Sequence, residues 1–343
     1  VFAVSQIIEK NLHRAKSDAS ILWINPEVDD CWRALEALAN RGSLKLFSQD
    51  FGGYSYLQGA GANVEFAAFP TAGEEKYDWI IVKLPRQKAL LDMLLDCAVS
   101  LLAKDGVLWL AGENKAGIKS ADKLLKRHFG RSRTLDNARH CRLYEAGGHL
   151  HQARFSPSDY STQWTLSFAG AGINVVSYPG VFAHGRLDEG TALLLDTLAT
   201  MDFKGDVLDF ACGAGLIGAC IAARNADVSV TLLDNNALAL RACKETLDAN
   251  HLNATVLASD GLSEIDGIYD IVVSNPPIHA GVRTDNQMGM NLLKSIRENI
   301  SPGGKLILVA NVHLPYENWL SKQFKKVNEL AANENYKVIA AKK

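Results

Sequence analysis

Short apolar runs alternate along this chain with longer amphipathic stretches, the rhythm of parallel strands separated by helices. In the first half, residues 21–24, 44–47, 79–82 and 107–111 read as buried strands. Residues 31–40 read as a helix closed by an Arg41-Gly42 C-cap, and 87–102 as a second helix with an apolar stripe. Gly52, Gly53, Gly59 and Gly61 mark a loosely structured stretch, and a basic helix is expected after Ala111. In the second half, strands are expected near 206–209, 229–233, 254–258, 270–274 and 305–310, with helices between them. The helix at 237–250 follows Asn236 as its N-cap. Residues 327–332 and 336–341 form a closing hairpin, which predicts a seven-stranded, doubly wound α/β sheet with its last strand antiparallel.

The two halves share a grammar. Tyr77-Asp78-Trp79-Ile80-Ile81-Val82-Lys83-Leu84-Pro85 lines up with Tyr269-Asp270-Ile271-Val272-Val273-Ser274-Asn275-Pro276-Pro277. Asp105 to Ala111 mirrors Gly303 to Val309, and the run beginning at Ile21 sits where the run beginning at Val207 sits in the second half. A duplicated domain is expected, with the first copy lacking the glycines and carrying Lys83 in place of Asn275. Chance likeness between two αβ halves is the alternative, since buried parallel strands resemble one another. The turn-rich stretch 147–168 holds the boundary, giving domains 1–155 and 156–343.

Composition adds limits. A chain of 343 residues with 48% hydrophobic and 22% charged positions is an ordinary globular protein of two-domain length. No run approaches the ~18 apolar residues of a membrane span, and the N-terminus has no signal-like pattern. The chain begins at Val1, so a few residues are expected to precede it. Six scattered cysteines, with no C-x-x-C pair and no histidine cluster, predict reduced thiols and no metal. The net charge of −2 hides an asymmetry: residues 1–155 carry 21 Lys and Arg against 18 acids, residues 156–343 carry 15 against 20. Within 115–142, nine basic residues face two acids. Lys115, Lys119, Lys123, Lys126, Arg127, Arg131 and Arg133 are therefore the candidate RNA-binding footprint. The plainer alternative is a solvated helix face, because the lysines recur at helical spacing.

Two motifs carry candidate chemistry. Val207 and Leu208 lead into Asp209, then the turn Cys212-Gly213-Ala214-Gly215, then a helix. The glycines let a ligand approach the backbone, and the helix start offers unpaired N–H groups. Gly213-x-Gly215-x-x-Gly218 fits the dinucleotide fingerprint, a weak signal by itself. Asp209 would crowd a pyrophosphate, so a cationic or amine-bearing ligand suits the turn better. Asp234, with Asn235 beside it, ends the next strand where a carboxylate can accept both ribose hydroxyls. Asp260 with Gly261 follows the third strand and is either a contact to an adenine amino group or a helix N-cap. The second motif is Asn275-Pro276-Pro277-Ile278-His279. Two prolines take the chain stiffly out of the sheet at the edge where ligands bind in open α/β folds. The Asn275 amide oxygen and the Pro276 carbonyl are then paired acceptors for the two hydrogens of an sp² amine. His279 either touches the base or a phosphate, or is an ordinary loop histidine.

The glycine turn and the paired acids resemble the S-adenosylmethionine loop of class I methyltransferases. Together with Pro179-Gly180-Val181-Phe182, the Asn-Pro-Pro corner and Leu314-Pro315-Tyr316, they resemble the ribosomal RNA small subunit methyltransferase C family over nearly the whole chain. The resemblance implies two tandem class I methyltransferase-like domains with a degenerate N-terminal copy, and S-adenosylmethionine as cofactor. It also implies methylation of a guanine N2 in 16S rRNA within the 30S subunit, by a cytoplasmic monomer using no metal and no membrane. In that family an acid at the first strand's end lies near the methionine amino group, and the segment holding Phe182, Asp188 and Gly190 closes over the cofactor. Ile278 departs from the pattern, which has an aromatic residue there. Rival readings are methylation of a protein glutamine or a DNA adenine, a non-catalytic RNA-binding assembly factor, and a dinucleotide-linked oxidoreductase.

Overall fold

A computed structural model describes residues 1–71, 76–150, 154–225, 227–276 and 283–343, without the side chains of 40–42 and 283–290. The chain divides into two compact units, Val1–Tyr160 and Ser161–Lys343.

In the first unit the strands are β1 (Ala19–Ile24), β2 (Ala39–Ser48), β3 (Val64–Phe66), β4 (Tyr77–Lys83), β5 (Leu102–Glu113), β6 (Phe129–Ala138) and β7 (Cys141–His149). They order as β3-β2-β1-β4-β5-β7-β6, with β7 antiparallel to both neighbours. The helices are α1 (Ala3–Asn11), α2 (Cys31–Glu36), α3 (Phe51–Gly59), α4 (Lys88–Leu101) and α5 (Asp122–His128).

The second unit opens with the hairpin β8 (Thr162–Phe168) and β9 (Ala171–Ser177), followed by α6 (Glu189–Leu198). Its main sheet comprises β10 (Asp206–Phe210), β11 (Ser229–Asp234), β12 (Thr255–Ala258), β13 (Tyr269–Ser274), β14 (Ile300–Asn311), β15 (Lys326–Ala332) and β16 (Tyr336–Lys342). Its order, β12-β11-β10-β13-β14-β16-β15, repeats that of the first sheet strand for strand. The covering helices are α7 (Leu216–Arg224), α8 (Ala237–Ala249), α9 (Arg283–Glu298) and α10 (Tyr316–Leu320). The central strands are buried on both faces: Val207, Ile271, Val273 and Ile307 pack to one side, Leu208, Phe210, Val272 and Leu306 to the other. This explains why they read as unbroken apolar runs rather than alternating ones.

Three expectations change. Residues 31–40 do not form one helix: α2 stops at Glu36 and β2 begins at Ala39, so Arg41-Gly42 is strand rather than cap. Gly52, Gly53 and Gly59 lie in α3, with Gly61 beyond it at φ 86°; the helix is started by Asp50, whose carboxylate accepts the Gly53 N–H at 2.7 Å. A good cap and burial of Leu57 outweigh the low helix propensity of glycine. The basic segment is not one helix either. Lys115 and Lys119 lie on 3₁₀ turns, Lys123, Lys126 and Arg127 on the short α5, and Arg131 and Arg133 on β6. Gly117, at a left-handed φ of 89°, breaks the first turn from the second.

Candidate active site

The site lies where β10, β11 and β13 end. The strand order reverses at β10: the chain runs outward through β11 and β12 on one side and crosses back to β13 on the other, which opens a crevice at the carboxyl ends. The turn after β10 is bent by three left-handed residues, Ala211 at φ 57°, Gly213 at 55° and Gly215 at 76°. A non-glycine residue there is uncommon, so Ala211 stores local strain at the mouth of the crevice. The three glycines differ in purpose. A Cβ on Gly213 would meet nothing within 4 Å, so its position faces open space. A Cβ on Gly215 would lie 2.7 Å from Cys243 Sγ, and one on Gly218 2.4 Å from Leu232 Cδ2. Those two are required by helix packing, and Gly213 by the turn.

Asp209 is fully buried. Its Oδ2 accepts the Gly218 N–H at 2.8 Å, whereas no described residue bonds to its buried Oδ1. Burial pushes its carboxyl up to about 7, the Gly218 N–H pulls it down, and the Asp234 charge pushes it up further. A desolvated carboxylate with one orphaned oxygen fits a cationic amine. Asp234 Oδ2 accepts the Gly213 N–H at 2.9 Å and its Oδ1 the Asn236 N–H at 2.9 Å. Its carboxylate, an acceptor only, thus stands at the end of β11 beside the glycine turn. Asn236 caps α8 through Oδ1, as the sequence predicts. The Cys212 thiol is buried, and contact with Cys243 together with burial holds it well above its ordinary value, so it fills space beneath the turn. Ala214 and Asn235 stand in the two loops themselves, Asn235 exposed.

Ser274 Oγ donates to the Phe210 carbonyl at 2.8 Å, across a register pair of β10 and β13. Asn275 and Ala211 follow immediately, so the amide and the glycine turn leave the sheet one strand spacing apart, about 5 Å. Asn275 Nδ2 donates to Thr191 Oγ1 at 2.9 Å and to Asp188 Oδ2 at 3.2 Å. A carboxylate only accepts, so the NH2 end must face Asp188 and Oδ1 must face away from it. Asp188 also caps α6 by accepting the Thr191 N–H at 2.9 Å. Its position sets Asn275, a contact with no signal in the sequence beyond an N-cap pattern. Gly190, named with it, makes room for the ring of Tyr336.

Phe182 is 57% exposed, on a segment anchored by Tyr178, whose hydroxyl donates to Glu245 Oε2 at 2.6 Å. Of Leu314-Pro315-Tyr316, Leu314 and Tyr316 are buried in the core and Pro315 is exposed. No helix follows Asp260, which removes the N-cap reading; its exposed side chain and Gly261, at φ 60°, stand in a turn beyond β12. Pro276 is described, whereas Pro277, Ile278 and His279 lie outside the described residues. Among the described residues no three His, Cys, Asp or Glu side chains gather to hold a metal, and no helix is long and apolar enough to cross a membrane.

Known families match this arrangement. The Methyltransferase small domain matches residues 172–340, and the Methyltransferase small domain N-terminal matches 5–164. Ribosomal RNA small subunit methyltransferase C of Shewanella amazonensis is 36% identical over 341 residues, 99% of this chain and 98% of that protein. The chain belongs to the ribosomal RNA small subunit methyltransferase C family. The Shewanella pealeana member is 37% identical over 338 residues, 97% of both chains. A solved structure, the T. thermophilus 16S rRNA methyltransferase for N2 of guanine 1207 in complex with AdoMet and guanosine, has the same fold. It superposes with a TM-score of 0.85 at 23% identity, covering 100% of this chain and 92% of that one. That structure and this chain therefore share the two-sheet architecture.

Proposed function

We propose that this chain transfers a methyl group from S-adenosylmethionine to the exocyclic N2 of a guanine in 16S rRNA, at the site built by Asn275. The observation that carries this is the Asn275 amide: both hydrogens of its NH2 are committed to Asp188 and Thr191, which leaves Oδ1 to accept. Oδ1 and the Pro276 carbonyl then hold the two hydrogens of the guanine amine. This turns the nitrogen lone pair out of conjugation and toward the glycine turn. Bound S-adenosylmethionine supplies an electrophilic methyl on a sulfonium. Asp209 Oδ1 fits its amino group, Asp234 and Asn235 its ribose, and Gly213, Ala214 and the backbone above Cys212 its methionine chain. Asp260, Gly261 and the exposed ring of Phe182 are left for the adenine. No strong base is needed, since the amine sheds its proton after it becomes cationic, and catalysis rests on positioning.

A guanine in folded RNA must swing out of its stack to reach such a crevice. Pro277, Ile278 and His279 would then border the base. The second unit would be the catalytic domain and the first the RNA-recognising one, in a cytoplasmic monomer acting on the 30S subunit. Part of the basic segment of the first unit is ion-paired. Lys115 pairs with Glu113, Lys126 with Asp122, Arg127 with Asp92 and Arg133 with Glu145. Lys119, Lys123 and Arg131 keep exposed charges for phosphates.

Mass-spectrometric mapping of methylguanosine in 16S rRNA, with and without the protein, tests the proposal. A single N2-methylguanosine gained at the position corresponding to guanine 1207 is expected. Label transferred to a release factor or to DNA instead would overturn it.

A further inference from the structure

The opposite edge of the catalytic sheet carries a feature that the methyl-transfer site does not use. A groove of about 630 Å³ is bordered by Lys204, Lys305, Lys326 and Lys342, with Asp202 and Asp270 on its wall. Three of the lysines form a row. Lys342 of β16 pairs in register with Lys305 of β14 on one side and with Lys326 of β15 on the other. Residues directly opposite on antiparallel strands point to the same face, so the three ammonium groups share one side of the sheet. Like charges placed this way oppose folding. Among the described residues none of the four lysines enters an ion pair. Asp270 is turned to other work, its Oδ1 accepting from Ser301 and its Oδ2 from the Asp206 N–H. The groove therefore has a surplus of two positive charges, in the half of the chain whose overall balance is acidic.

We propose that the Lys305–Lys342–Lys326 row is a docking track for the phosphodiester backbone of the RNA substrate. The inference rests on the function proposed above. Lysine grips phosphate as a point charge without reading a base, so the track adds affinity and orientation rather than sequence choice. Two strand spacings make the row about 10 Å long. The strands run five to six residues from groove to crevice, about 15–20 Å. A nucleoside or short oligonucleotide in the crevice cannot reach the groove, whereas folded RNA wrapped around the sheet edge can.

The test is the full chain carrying Lys305→Gln, Lys326→Gln and Lys342→Gln together. Its affinity for 16S rRNA is measured against salt concentration, beside methyl transfer to a short guanine-bearing oligonucleotide. The expected result is affinity for 16S rRNA at least tenfold weaker, with the salt slope reduced by about 2, the value for three single-strand phosphates. Transfer to the oligonucleotide and the melting temperature should be unchanged, or the melting temperature raised as repulsion is relieved. A salt slope unchanged in the triple variant, while the wild type methylates rRNA, would overturn the track alone. So would loss of binding to anionic phospholipid vesicles with RNA binding intact, or an equal loss on the oligonucleotide. A wild-type protein that neither binds nor methylates rRNA would overturn the proposed function, and the track with it.

Discussion

The two sheets share one strand order and differ at one edge. Strand β1 stands in the first unit where β10 stands in the second, and both exit into a left-handed residue, Asn25 at φ 52° and Ala211 at 57°. From there they part. The first copy has buried Trp23 at the place of Asp209, and nine residues further on buried Trp32 at the place of Gly218. Glu27 stands where Gly213 stands, Lys83 where Asn275 stands, and the two form an ion pair at 2.7 Å. The second copy keeps a cradle there: a glycine facing space, a carboxylate with an orphaned oxygen, and an amide held by one end. The comparison teaches that the doubly wound sheet tolerates either filling. The same strand order carries a crevice filled by its own side chains in one copy and an open one in the other.

The sharpest way to break the comparison is to remove the amide. Asn275→Ala should lower kcat by about 10²–10³-fold, the usual loss when one positioned polar partner of the reacting atoms is deleted. Cofactor affinity should stay within twofold. Thr191→Val should give an intermediate loss, because Asp188 alone would then orient the amide. Single-turnover kinetics with calorimetric cofactor binding separate these, and a wild-type rate for Asn275→Ala would end its assigned role.

Much of this edge was legible in the sequence. The central strands showed because burial on both faces leaves unbroken apolar runs, and the duplication showed because the same runs recur with the same neighbours. The Gly213–Gly215 turn was legible because few residue types tolerate its left-handed backbone, and Asn275 because the two prolines after it mark the chain's exit from the sheet. The clamp of Asp188 and Thr191 on Asn275 was not, since it joins residues 87 and 84 positions apart. Charge was the least legible. Lys115, Lys126, Arg127 and Arg133 stand out as a run along the chain, yet each has an acid beside it, that of Arg127 35 residues away. Lys305, Lys326 and Lys342 are scattered in sequence and meet only through strand register. The α3 helix was hidden by its glycines, which local propensity counts against a helix and tertiary burial does not.

Packing gives the next largest effect. Gly218→Ala would press a methyl group 2.4 Å from Leu232 Cδ2 and 3.1 Å from Asp209 Oδ2. A cost of about 1–3 kcal/mol is expected from such overpacking, read as a lower denaturation midpoint. Weaker cofactor binding should accompany it, as Asp209 is displaced. Gly59→Ala in the exposed C-terminal turn of α3, where a Cβ meets nothing within 4 Å, should instead be neutral or stabilising by under about 1 kcal/mol.

Asp209 supplies a pH test that the first copy, with Trp23, cannot show. Its carboxyl is raised by burial from the ordinary carboxylate range to about 7. The folded protein without ligand therefore favours the protonated form. Its contribution to stability is fully present below the unfolded value and lost as pH rises through about 7. A cationic amine beside Oδ1 reverses the preference and draws the proton off. Cofactor affinity should thus fall up to tenfold for each pH unit below about 7, and binding at pH 6 should release a proton. Calorimetry in buffers of different ionisation enthalpy measures that release. Asp209→Asn should abolish it, and proton-neutral binding by the wild type would remove Asp209 from the cofactor site.

The smallest effect tests the first copy on its own terms. Lys83 and Glu27 are partly exposed, at 36% and 13%, so their attraction is well screened. Lys83→Ala should cost no more than about 1 kcal/mol, far less than the overpacked Gly218→Ala. A larger loss would mean that the crevice of the first unit needs its ion pair as a keystone. Glu27→Gly with Lys83→Asn restores two residues of the second copy's pattern, yet it should create no cofactor binding. Trp23 still fills the place of the orphaned carboxylate and Trp32 that of the packing glycine, and two tryptophans cannot yield that volume without unpacking the core. Calorimetry of the double variant, with the second unit's site removed by Asp209→Ala, reads this directly. Any residual binding would show that the first copy lost its ligand through two surface charges rather than through the tryptophans beneath them.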